Sequence, residues 1–141
     1  MKRPKITHEM VLAAAQNLAL ENKWDAVKAG ELADVYEAHM DGYELAKELE
    51  SSYSWDISVM DVEALDYMDC EVRNIHLAAC LTWVRESDIQ PPLPIGTMTT
   101  RGEITGISTH GAAEYLIREN GETNESRRLI VRFEDAQGCE A

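Results

Sequence analysis

The chain has 141 residues, 45% of them hydrophobic, enough for one core-bearing domain or a helical domain with a small appendage, and too apolar for wholesale disorder. Its 26 acidic and 13 basic residues leave a formal net charge of −13, which repels nucleic-acid phosphates and anionic membranes and favours solubility or a basic partner. Apolar runs such as Val11–Ala15 are too short to cross a bilayer. His8 and Glu9 interrupt the apolar segment that an export signal would need after Met1-Lys2-Arg3-Pro4-Lys5, so a cytoplasmic location with free thiols at Cys70, Cys80 and Cys139 is expected.

In chain order, Thr7 is placed to cap a first helix whose apolar positions are Ile6, Met10, Val11, Ala14, Leu18 and Leu20, ending near Asn22 and Lys23. A second helix is expected over 29–39, with Leu32, Val35 and Tyr36 as its stripe. Asp41-Gly42-Tyr43-Glu44 reads as a capping box that opens a third helix through Leu45, Ala46 and Leu49. Residues 51–55 read as a loop carrying Tyr53 and Trp55. Val62, Leu65, Met68, Val72, Ile75, Ala79 and Trp83 recur at three and four positions and predict one long helix over 59–85.

Pro91, Pro92 and Pro94 cannot continue a helix and favour an extended strap. Beyond it, 103–108, 113–118 and 128–133 read as strands, 97–100 as an edge strand, and Asn120-Gly121 as part of a hairpin tip. The expected fold is therefore α+β: a bundle of about four helices over 1–90, a proline-rich connector at 91–96, and a small antiparallel sheet over 97–141. Gly102-x-Ile104-x-Gly106 followed by Val131-x-Phe133 resembles the strands of SH3-like barrels, which implies a small open barrel as the alternative form of the sheet.

Thirteen acids fall between Glu31 and Glu71, with Lys47 as the only basic residue among them. Such a run reads as a negative surface that steers a basic partner, with an ordinary solvated face as the plainer and slightly favoured alternative. The candidate docking residues are Glu31, Asp34, Glu37, Asp41, Asp61, Glu63, Asp66 and Asp69, with Trp55 as an exposed aromatic anchor. His76 and Cys80, four apart on a helix, could face one metal, but no local motif completes four ligands, so no metal or cofactor is expected. Ser108 and His110 lack a nucleophile elbow and read as a polar turn; no catalytic residue is assigned. Arg118 and Arg132 could line a sheet face with Tyr115 as an RNA or peptide surface.

The function these features favour is an acidic binding or inhibitory accessory protein that docks on a basic surface of a protein partner, in the manner of a nucleic-acid mimic. The composition resembles that of compact acidic proteins among phage and mobile-element accessory genes. The competing classes are a self-associating assembly protein, and a small enzyme or RNA/peptide-binding module built on the sheet.

Overall fold

The computed structural model describes residues 2–139; Met1, Glu140 and Ala141, which belong to the ends of the expected domains, lie outside the described residues. The fold is α+β, with helices first and an open antiparallel sheet after them. The helices are α1 (His8–Asn22), α2 (Ala26–Val35), α3 (Gly42–Tyr53), α4 (Val59–Leu65) and α5 (Met68–Glu86). Among the described residues no helix is long and apolar enough to cross a membrane. By backbone proximity the chain divides into two compact units, Pro4–Ala78 and Met1–Arg3 with Ala79–Ala141.

In the helical unit, Thr7 caps α1 by accepting the Met10 N–H, and Lys23 ends it in the left-handed region. Small buried residues, Ala14 and Ala15 on α1 with Ala29 and Ala33 on α2, let these two helices pack closely. Leu18, Leu32, Leu45, Leu49, Leu65, Met68 and Val72 complete the core. Ile6 and Leu20, expected on the buried stripe, are exposed: Ile6 precedes the Thr7 cap, and Leu20, two residues after the buried Leu18, lies about 200° around the helix from it.

The capping box at Asp41 forms as the sequence indicates, with Asp41 accepting the Glu44 N–H and Glu44 reaching back to the Asp41 N–H. The expected loop over 51–55 is a correction: α3 continues through Tyr53 and stops at Ser54, which adopts left-handed geometry. So is the single helix over 59–85. The backbone tightens after Leu65, where Tyr67 N–H bonds to Ala64 C=O three residues back, and helical bonding resumes with Glu71 N–H to Tyr67 C=O. Asp66 sits at that break and turns its carboxylate to the Gly42 N–H of α3, an alternative partner of the kind that unsettles a helix interior.

The sheet unit is a meander in the order β1 (Met98–Thr99), β2 (Gly102–Ile107), β3 (Glu114–Glu119), β4 (Leu129–Arg132), followed by a 3-10 turn over Phe133–Asp135. Gly102 has φ +144°, and a Cβ there would lie 2.0 Å from the Arg118 carbonyl oxygen, so only glycine fits where β1 turns into β2. The outer edge of β1 is covered by the C-terminal segment: Cys139 N–H bonds to Met98 C=O and Thr100 N–H to Gln137 C=O. Ile104, Tyr115, Ile117, Val131 and Phe133 form the core, with Trp83, Val84, Ile89 and Leu93 packed against it.

Tyr115 is fully buried, and its hydroxyl donates to the Leu93 C=O at 3.0 Å and accepts the Leu93 N–H at 2.7 Å. One side chain thus satisfies both backbone groups of a residue in the proline strap, which has no helix or strand to do so. Tyr115→Phe keeps the ring packing and strands both Leu93 groups. A loss of about 1–3 kcal/mol is expected, read as a lower urea midpoint at unchanged slope.

Candidate protein-docking surface

The charge is divided unevenly between the two units. Pro4–Ala78 holds 16 acidic and 5 basic residues, a net of −11, and the other unit holds 10 and 8, a net of −2. The candidate surface is therefore the helical unit, and the eight acids named from sequence all lie on it.

Six of the eight are fastened to their own fold by neutral donors. On α2, Glu31 accepts the Trp55 indole N–H at 3.3 Å and Asp34 accepts the Tyr53 hydroxyl, so both acids secure the end of α3 and the residues after it. Asp41 and Asp61 are capping residues at the starts of α3 and α4. Asp66 accepts the Gly42 N–H at 2.6 Å. Asp69, in the first turn of α5, accepts the Tyr36 hydroxyl and the His39 N–H, and ion-pairs with Arg73 at 3.1 Å.

Neutral donors orient a carboxylate without cancelling its charge. At Asp69 burial works against ionisation, but the bonds from Tyr36 and His39 and the charge of Arg73 outweigh it and hold the carboxyl below its ordinary range. The same arrangement pushes the Tyr36 hydroxyl up, burial first and the Asp69 bond second, so the pair stays carboxylate plus neutral phenol at physiological pH. Arg73 is the only cation ion-paired to any of the eight among the described residues. Lys28 and Lys47 lie instead over the rings of Trp55 and Tyr43.

Glu37 and Glu63, the remaining two, are exposed, and no hydrogen bond or ion pair engages their carboxylates among the described residues. These two lie beside different depressions. Glu37, Glu44 and Glu48 surround a shallow depression with Val35, Met40 and Lys47. Glu63 and Asp66 line a second with Asn22, Met60, Ala64 and Tyr67.

Trp55 is a correction. It is 8% exposed, packs edge-on against Trp24 with ring centroids 5.6 Å apart, and has its N–H tied to Glu31. α3 extends through Tyr53, and after the left-handed Ser54 the chain brings Trp55 back over the core, so the most exposed aromatics here are Tyr43 and Tyr67 instead.

The basic-and-aromatic sheet face is a second correction. Alternation along β3 puts Tyr115 in the core, while Arg118 and, through the pairing of Arg132 with Glu114, Arg132 point to the other face. Arg118 there pairs with Glu103 on β2 at 2.8 Å. Ser108 is buried with its hydroxyl accepting the His110 backbone N–H, as a polar turn requires, and His76 Nε2 lies 2.8 Å from the Pro4 carbonyl.

Sequence reasoning missed Met60 and Tyr67, which are 78% and 65% exposed. The signal was present: Met60, Ala64 and Tyr67 keep helical spacing on a second apolar stripe, beside the stripe through Leu65 and Met68. Comparison with protein-family models, curated proteins and solved structures finds no match for this chain.

Proposed function

We propose that the helical unit is an acidic docking module that binds a basic surface of a protein partner and, where that surface is a nucleic-acid-binding groove, blocks it. The observation that carries this reading is the net of −11 confined to Pro4–Ala78, with carboxylates held in place by neutral donors. A preorganised negative surface raises the encounter rate with a basic partner and loses little side-chain freedom on contact.

The test uses acids that the fold does not need. Glu37, Glu48, Glu50, Asp56 and Glu63 are exposed, and no hydrogen bond engages their side chains among the described residues. Changing these five to their amides leaves every cap and fastening intact. Proteins captured from host extract on the wild-type chain are expected to be basic and to elute as salt rises, and capture by the amide variant to fall at least tenfold. Capture that ignores both ionic strength and the five substitutions removes the proposal.

A further inference from the structure

We infer that the outward face of α4 is the seat of this partner, which contributes an amphipathic segment with an apolar side chain flanked by lysine or arginine. The inference rests on the acidic docking reading and adds a place and a chemistry to it. Met60, Glu63, Ala64 and Tyr67 follow one another at helical spacing, and with Asn22 and Asp66 they line one shallow depression. The inner side of this segment is fully buried at Leu65 and Met68, so the outer side has no core to fill. It nevertheless carries two large apolar side chains, at 78% and 65% exposure. Tyrosine is a frequent binding anchor, and methionine adapts its shape to what it meets.

Charge decides the occupant. The depression is lined by two carboxylates, Glu63 and Asp66, and by no cation. A second copy of the chain would set these acids against their own equivalents on a protein of net charge −13. An anionic membrane is repelled for the same reason. A cationic segment with an apolar centre satisfies both features: its side chain enters between Met60 and Tyr67 while its cations meet Glu63 and Asp66.

The test titrates the isotope-labelled full chain with two synthetic peptides, an amphipathic one of leucine, alanine and lysine, and an oligolysine of equal charge. The amphipathic peptide is expected to shift the Met60 methyl and the Ala64 and Tyr67 amide signals, and to bind at least tenfold more tightly than oligolysine. Met60→Ser with Tyr67→Ser, both at exposed positions, is expected to weaken the amphipathic peptide about tenfold and leave oligolysine binding and the melting temperature unchanged. Equal binding of the two peptides, insensitive to the double variant, overturns the α4 seat and leaves acidic docking standing. Binding of neither peptide at low ionic strength overturns both. Concentration-dependent shifts of the same signals without peptide overturn it in favour of self-association.

Discussion

Replacing Arg3 by methionine is expected to lower the stability of the sheet unit by about 2–3 kcal/mol. The Arg3 side chain is only 8% exposed, and its guanidinium donates to the carbonyls of Ala112 and Ala113 at 2.6 and 2.9 Å. The same group forms a two-pronged pair with Glu134 at 2.7 and 3.0 Å and lies over the Trp83 ring. One residue near the start of the chain thereby ties the β2–β3 connection to the turn after β4. Methionine preserves much of the apolar stem but takes the donor from the Ala112 carbonyl and the Glu134 carboxylate, while the Ala113 carbonyl keeps only its bond from the Phe133 N–H. The figure stays below the cost of breaking a fully buried pair because Glu134 is 45% exposed and water can replace part of the loss.

The pH dependence of this pair has a definite sign. The hydrogen bond from Arg3 holds the Glu134 carboxyl below its ordinary range, with partial burial opposing. A carboxyl whose folded pKa is depressed contributes its full stabilisation above the unfolded value and loses it as pH falls through the folded one. The wild-type sheet unit should therefore weaken on acidification below the ordinary carboxylate range, and the Arg3→Met variant should show a flatter profile there. Amide exchange in β2, β3 and β4 at two pH values reads both effects. Protection unchanged in the variant would mean that the Arg3 contacts contribute nothing.

Arg3 also shows where sequence reading stops. Within the sheet unit, strands and turn positions follow from period-two patterning and glycine, and the four strands lie within a residue or two of their expected places. The partner of a lone arginine 109 to 131 residues away leaves no local pattern. The helical unit divides in the same way. Caps at Thr7 and Asp41 were legible because a cap is a contact over three residues. The break between α4 and α5 was not, because its cause is Gly42, 24 residues earlier.

The candidate site was legible to the same extent. The concentration of acid on the helices is a property of composition and survives folding intact. Which acids the fold itself engages is not. Asp61, Asp66 and Asp69 looked the same as Glu63 in the sequence, yet the first three are engaged by the fold's own donors and Glu63 is not. Short acidic side chains reach backbone N–H groups at helix starts and breaks more readily than glutamates do, and here the fastened acids of α4 and α5 are all aspartates. Trp55 failed for a related reason: exposure was inferred from a loop assignment beginning at Ser51, and the helix runs three residues into it.

Gly42→Ala is expected to destabilise the helical unit by about 2–4 kcal/mol, although alanine is the better helix former. Gly42 is the first residue of α3, and its propensity gain is at most about 1 kcal/mol. Against that, an added Cβ would lie 2.1 Å from the Val62 carbonyl oxygen and 2.9 Å from the Asp66 backbone nitrogen, both rigid backbone of the α4 end. To admit it, α3 and α4 must separate, and the 2.6 Å bond from Gly42 N–H to the Asp66 carboxylate is lost. Overpacking and a lost charge-assisted bond each exceed the propensity term, so the sign is unfavourable. Asp66→Ala separates the two contributions, since it removes the bond without the clash and should cost about 1.5–3 kcal/mol. Both variants should also broaden the Met60 and Tyr67 signals, because α4 and the turn after it carry these side chains and lose their fixed placement on α3. Urea unfolding in which Gly42→Ala matches or exceeds wild-type stability would show that α3 and α4 do not meet as closely as this packing requires.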